Sequence, residues 1–356
     1  MSEVATAQRR APVDIHGVDA RLREVMARAR MLSGATTVGE QLWDALQTMA
    51  SGGKRIRPRM LIDAHTALGG TDSRAAVDAA CAVELLHIAL LIHDDVIDKD
   101  LTRRGELNIT GRFAMDAMLR GAGAADARGW GEASAILAGD LALTMAHSVL
   151  ARLDVDADRR RAMLDVFERA VHESAAGEQQ DVWLSLRLEQ ATPRDVLHTL
   201  EQKTAAYSFQ APLVLAAVLA GAAPVVIDEL TDIARLLGVI YQLRDDVIGL
   251  FGDEARTGKS ILSDLREGKE TLLIAYARTD ADWPGVASLL GDEKLDETGA
   301  DKLRRVILES GALDRVEADI TERCVQVNRL IRCAQVPEVL KEQLSALATA
   351  CGERSA

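Results

Sequence analysis

The chain has 356 residues, of which 48% are hydrophobic, and a formal net charge of −13. That acidity argues against nucleic acid as the main partner, because a phosphate backbone calls for a basic surface; small phosphorylated ligands held by a local basic cluster stay open, and an acidic pocket favours divalent cations. Cys81, Cys324, Cys333 and Cys351 lack CxxC spacing and read as reduced residues of a cytoplasmic protein, and Met1 to Ala20 carries no apolar signal core.

From the N-terminus, residues 1–14 read as a flexible tail. Apolar residues then recur at three- and four-residue spacing in most segments, with Ala, Leu, Arg and Glu abundant, which predicts helix after helix. Thr37 with Glu40 reads as a capping box opening an early helix. Gly52-Gly-Lys-Arg-Ile-Arg-Pro58 packs Lys54, Arg55 and Arg57 behind two glycines, a rigid turn whose free N–H groups and cations suit an anion. A break at Leu68 to Ser73 precedes a helix marked by Val83, Leu86, Leu90 and Ile97. Its end reads His87-Ile-Ala-Leu-Leu-Ile-His-Asp-Asp-Val-Ile-Asp-Lys-Asp-Leu-Thr-Arg-Arg-Gly105, so Asp94 and Asp98 stand one turn apart on one face. Like charges at that spacing repel, and Mg²⁺ would offset the repulsion. A solvated acidic helix end, helped by Lys99, Arg103 and Arg104, is the alternative reading of this segment alone.

Glycine-rich Gly121 to Gly131 reads as a second break, and Thr192-Pro193 as a cap before a first-turn proline. Ser208 to Ile227 carries no charge, but Pro212, Gly221, Pro224 and its alanine content favour a buried core helix over a membrane span, so no stable membrane insertion is expected. Leu237, Ile240 and Val247 mark a helix that contains Tyr241-Gln-Leu-Arg-Asp-Asp-Val-Ile-Gly249, with a second acidic pair, Asp245 and Asp246. Isolated buried carboxylates are expensive, so two such clusters in one helical protein suggest that they face each other across a cavity. Several Mg²⁺ ions could sit there, with diphosphate oxygens completing their octahedra. Phe251 to Gly268 is a polar stretch too long for a plain connection and is a candidate lid. Within it, Arg256-Thr-Gly-Lys-Ser260 looks like the end of a phosphate-binding loop, but the glycine required earlier is Asp253 and no strand precedes it, so that reading fails. No alternating strand, linker or short repeat is evident. The expected fold class is all-α, one large helical domain spanning residues 15–352.

Several of these segments belong to an ordered set. Gly53-Lys-Arg-Ile-Arg-Pro58, Asp94-Asp-Val-Ile-Asp98 with Arg103-Arg-Gly105, Lys203-Thr204, Gln242-Leu-Arg-Asp-Asp246, Phe251-Gly-Asp253, Thr257-Gly-Lys259 and Asp264-Leu-Arg-Glu-Gly-Lys269 follow one another in the chain. Their order and content resemble the trans-prenyl diphosphate synthase family, bacterial geranylgeranyl diphosphate synthases among them. The resemblance implies a helical bundle around a central active-site cavity, and a homodimer that uses Mg²⁺ to condense isopentenyl diphosphate with a C5–C15 allylic diphosphate. It also implies site roles. Asp94 and Asp98 would hold two Mg²⁺ ions and Asp245 a third, with Asp181 of Gly177-Glu-Gln-Gln-Asp181 as an auxiliary carboxylate. Arg103, Lys203 and Lys259 would grip the allylic diphosphate, helped by Lys269, while Lys54, Arg57, His87 and Arg104 would hold isopentenyl diphosphate. Thr204 and Gln242 would line the reacting centre. Gly249 departs from the family pattern, which often has a third aspartate there, as does Glu-Leu-Asn after Gly105, where a proline is common.

Ala89 and Leu90, about one turn before Asp94, would line the wall beside the growing chain. In the family, aromatic residues there accompany a C15 product, so this pair implies geranylgeranyl diphosphate or a longer chain; farnesyl diphosphate is an alternative, and both could be plain core residues. A class I terpene cyclase is disfavoured, since its usual second motif is missing and only 3% of the chain is aromatic. A non-catalytic partner subunit would be expected to have lost the aspartates or basic anchors that this chain keeps.

Overall fold

The computed structural model describes residues 15–34, 36–103, 105–252 and 262–354, and the periodic segments within them are helices. Helices α1 (His16–Leu32) and α2 (Thr37–Ala50) come first. The cap of α2 is Thr36, whose hydroxyl accepts the Gly39 N–H at 3.0 Å. The expected Thr37–Glu40 box is therefore one residue out of register, and Glu40 instead pairs with Arg30 of α1.

Gly53 (φ +98°) and Arg55 (φ +49°) turn the chain into α3 (Ile56–Ala67). A left-handed non-glycine residue costs on the order of 1–2 kcal/mol and persists where its surroundings fix it. Here the Arg55 side chain, 8% exposed, donates to Glu84 at 2.6 Å, to Asp19 at 2.9 Å and to the Ala50 carbonyl. This corrects the sequence picture of three cations facing an anion. Arg55 is an internal strut, whereas Lys54 is exposed and Arg57 is half-buried.

Helix α4 (Ser73–Ile97) is the central element, capped by Asp72 and buried along most of its length. Ala75, Ala76, Ala79, Ala80 and Ala82 keep its sides slim, so that neighbouring helices approach closely. It is followed by a ribbon that left no alternating pattern in the sequence, β1 (Thr102–Arg103) paired antiparallel with β2 (Glu106–Leu107). Two-residue strands are too short to show a period. Next come α5 (Ile109–Leu119) and α6 (Ala124–Ala151), which pack on each other while α6 also covers α4. The expected break at Gly121 to Gly131 thus shrinks to residues 120–123. Gly131 lies inside α6 because a Cβ there would collide with the Thr110 carbonyl of α5.

Helix α7 (Ala157–Ser185) precedes α8 (Pro193–Leu200), whose start is the expected Thr192-Pro193, with Asp195 closing a capping box. The backbone then widens into a π-helix (Glu201–Gln210) before α9 (Ala211–Ala220) and α10 (Pro224–Phe251). Leu213, Leu215, Ala216 and Ala217 are fully buried, so the uncharged stretch supplies core. Two further segments also have the length and composition of a membrane span, Ser73–Ile97 and Ala124–Ala151, alongside Pro193–Ala220. Their apolar windows are 72%, 50% and 72% buried within the protein, which accounts for their hydropathy by packing.

The candidate lid lies mostly outside the described residues. Its end is a short helix, α11 (Ser263–Glu267), stopped by Gly268 at φ +73°. Helices α12 (Leu272–Ala277), α13 (Glu297–Glu309), α14 (Ala312–Cys333) and α15 (Glu338–Gly352) complete the chain, and one hydrophobic core runs from Val18 to Cys351.

Candidate active site

The C-terminal half of α4 presents one half-buried stripe: His87, Leu90, Leu91, Asp94 and Asp98. Three- and four-residue spacing stacks these side chains on a single face. Ala89 is off that stripe and 1% exposed. Opposite lies α7, with Glu178 and Asp181 one turn apart. Gly177 lets the π-helix press against α7, since a Cβ there would collide with the Lys203 backbone. That approach sets the Lys203 ammonium 2.7 Å from Asp181, 2.9 Å from Glu178 and 3.4 Å from Asp94. A π-turn at a site of this kind re-aims side chains that a regular helix would point elsewhere.

One donor oxygen each from Asp94, Asp98 and Glu178 lies within 4.8 Å of the other two. Burial, then Asp94, pushes the Asp98 carboxyl up to about 8 against the pull of Lys203. Glu178 is likewise raised, first by burial. Burial works against the Lys203 ammonium, but Asp181, Asp94 and Glu178 outweigh it and hold its pKa above the ordinary value. Burial first, and repulsion from neighbouring carboxylates after it, therefore disfavour the charged form of these groups despite the ammonium. An all-oxygen, negatively charged donor set of this kind fits Mg²⁺. The middle aspartate of the motif serves a different purpose. Buried Asp95 accepts from Arg103 Nε at 2.9 Å and braces that guanidinium 3.8 Å from Asp94.

The second acidic pair behaves differently. Asp245, one-third exposed, accepts from Arg354 at 2.8 Å, and the same guanidinium lies over the Tyr241 ring. Asp246 is buried and accepts from Gln242 Nε2 at 2.9 Å, with Lys269 Nζ at 3.8 Å. Burial, opposed by Lys269, pushes the Asp246 carboxyl up to about 7. Lys269 itself is raised, by Asp264 first, against burial. Thr204 donates to Gln242 Oε1 at 3.0 Å, so Thr204, Gln242 and Asp246 form a fixed chain from the π-helix to α10. At Gly249 a Cβ would lie 2.6 Å from an Asp264 oxygen, so the place of the family's extra aspartate is bordered by a carboxylate from α11.

On the basic side, Arg57 of α3 donates to the Ser208 hydroxyl at 2.7 Å and lies 5.1 Å from the centre of the Tyr207 ring, on which His87 stacks. Lys54 is exposed. Arg104 and Lys259 lie outside the described residues. Glu178, Tyr207, Ser208 and Arg354 were missed by the sequence reading. Glu178 left a signal, since it stands one turn before Asp181, and Tyr207 and Ser208 follow Lys203-Thr204 by about one turn. Arg354 left none, being a lone cation in the last residues.

A model of the polyprenyl synthetase family matches residues 40–302. The chain belongs to the polyprenyl synthetase family. It is 33% identical to the geranylgeranyl diphosphate synthase of Methanosarcina mazei over 78% of this chain and 79% of that one. It is also 35% identical to the (2E,6E)-farnesyl diphosphate synthase of Mycobacterium tuberculosis, over 70% and 64% respectively. Its structure superposes with a TM-score of 0.86, at 28% identity, on geranylgeranyl pyrophosphate synthase from Corynebacterium glutamicum complexed with isoprenyl diphosphate and magnesium, covering 96% and 99% of the two chains. The family resemblance, the all-α fold and the enzyme class read from the sequence are thereby borne out: this polyprenyl synthetase is a trans-prenyl diphosphate synthase.

Proposed function

We propose that the enzyme condenses isopentenyl diphosphate with a C5–C15 allylic diphosphate and releases mainly geranylgeranyl diphosphate. The observation that carries this reading is the gathering of Asp94, Asp98, Lys203 and Arg103 on one wall, with Lys269 and the second acidic pair beside it. Asp94 and Asp98 would hold two Mg²⁺ ions and Asp245 a third, with Asp181 in support. When bound, magnesium supplies electrostatic stabilisation of the departing diphosphate. Arg103, braced by Asp95, and Lys203, braced by two α7 carboxylates, bind that diphosphate and keep it oriented. Lys259 and Lys269 add to the same grip.

Arg57 and His87, with Lys54 and Arg104, would hold isopentenyl diphosphate. Thr204 and the carbonyl dipole of Gln242, fixed at both ends by hydrogen bonds, face the allylic carbon as positive charge develops. The departed diphosphate takes the proton lost after the new bond forms.

The lack of an aromatic ring at Ala89 and Leu90 supports a product longer than C15. Leu90, on the stripe with Asp94, is the sharper test: Leu90→Phe should shift the product profile towards C15, read by mass spectrometry. Ala89→Phe tests whether the buried position next to that wall also limits the chain, with an added overpacking cost of about 1–3 kcal/mol. Exposed Met115, Met118 and Leu119 on α5, with Trp130 and Leu137 on α6, support a homodimer, and burial of the apolar helices supports a soluble protein.

The decisive experiment incubates purified protein with isopentenyl diphosphate, Mg²⁺ and C5, C10 or C15 primers, with an EDTA control. EDTA-sensitive elongation ending at C20 is expected. A folded protein that elongates none of them overturns the reading.

A further inference from the structure

Glu178 belongs to the acidic wall, yet neither acidic motif contains it. We propose that Glu178 is a third protein ligand, direct or through one water, of one of the two Mg²⁺ ions held by Asp94 and Asp98. This rests on the metal assignment of the preceding section.

Three observations support it. The donor oxygens of Asp94, Asp98 and Glu178 lie within 4.8 Å of one another. Oxygen ligands sit about 2.0–2.1 Å from Mg²⁺, so opposite corners of its octahedron are roughly 4 Å apart, and a small rotamer adjustment brings the three oxygens to one ion. Next, Glu178 and Asp181 share a face of α7 but divide their work. Asp181 makes the shortest bond to Lys203 and stands outside the converging trio, whereas Glu178 reaches Lys203 and the trio together. Finally, charge is out of balance. Four carboxylates (Asp94, Asp98, Glu178 and Asp181) share Lys203, the edge of Arg103, whose closer bond goes to Asp95, and Lys269, which also serves Asp246 and Asp264. Gly177 fixes this part of α7 against the π-helix, so Glu178 is delivered to the wall by a rigid contact.

The competing role for Glu178 is as a counter-ion of Lys203 alone. Glu178→Gln separates the two, because its amide oxygen still accepts from Lys203 while the charge and the carboxylate ligand are gone. Mn²⁺ binding would be followed by loss of the free-ion EPR signal in full-length protein with inorganic diphosphate, for wild type, Glu178→Gln and Asp94→Asn. A roughly tenfold weaker Mn²⁺ affinity in Glu178→Gln is expected, with a matching rise in the Mg²⁺ concentration for half-maximal turnover. Wild-type Mn²⁺ binding in Glu178→Gln, with binding lost in Asp94→Asn, overturns the proposal and leaves Glu178 as the partner of Lys203. Wild-type binding in Asp94→Asn sinks the underlying metal assignment instead. Should Glu178→Gln fail to fold, Glu178→Asp carries the test: weakened Mn²⁺ binding is expected, and unchanged binding overturns the proposal.

Discussion

Asp94 and Asp98 stand four residues apart on α4 and converge, with Glu178, on one point. Asp245 and Asp246 are neighbours on α10 and part company, the first towards Arg354 near the surface, the second into the protein towards Gln242 and Lys269. Helix geometry explains the difference. A step of four residues returns nearly to the same face, whereas a step of one turns the side chain by about 100°. The first motif therefore concentrates charge, and the second splits it between a partly exposed pairing with Arg354 and an internal hydrogen-bond chain. The middle residue of the first motif obeys the same rule, since Asp95 turns inward to brace Arg103.

The largest effect should come from the concentrated motif. Asp94→Ala is expected to cut turnover by about 10³-fold with the helical circular dichroism spectrum intact, and near-normal turnover would break the assignment. The split motif should give two different phenotypes. Asp245→Ala is expected to lower turnover by about 10²-fold and to weaken metal dependence. Asp246→Ala should instead leave the Mg²⁺ requirement unchanged and cost about 1–3 kcal/mol of stability, since Gln242 and Lys269 lose a buried partner. Equal loss of metal dependence in both variants would show that the adjacent aspartates act as one site.

A pH effect sharpens the contrast. In metal-free protein the Asp98 carboxyl, raised from its ordinary 3.8 to about 8 by burial and by Asp94, keeps a proton that the unfolded chain releases. Its contribution to stability is therefore complete below pH about 4 and is lost as pH rises towards about 8. Mg²⁺ should raise the melting temperature more at pH 8 than at pH 6, and an equal gain at both would count against Asp98 as the crowded group. The smallest effect belongs to the surface pair. Arg354→Gln should change stability by less than about 1 kcal/mol, because both partners are substantially solvated. Thermal melts of the metal-free protein would check it.

Much of this was legible before any coordinates. Helical periodicity, the two acidic motifs, the convergence of Asp94 with Asp98 and the glycine-opened turn at Gly53 are local properties, fixed by residue spacing and backbone freedom. The ordered motifs also identified the family. What escaped was decided by neighbours distant in the chain. Glu40 pairs with Arg30 on another helix and does not close a capping box, and the cap itself is Thr36. Arg55, one cation among three in sequence, turns inward because Glu84 and Asp19 await it. Gly121 to Gly131 looked like a break, yet Gly131 serves close packing of α5 on α6.

The same division holds at the site. The sequence by itself determined which residues could carry charge on a shared helical face, because that follows from 3.6 residues per turn. Only the tertiary structure decided which of those charges meet. The π-helix brings Lys203 onto α7 at Gly177, and that one close approach draws Glu178 and Asp181 into the wall headed by Asp94. Spacing along one helix fixes faces, and contact between helices far apart in sequence fixes partners.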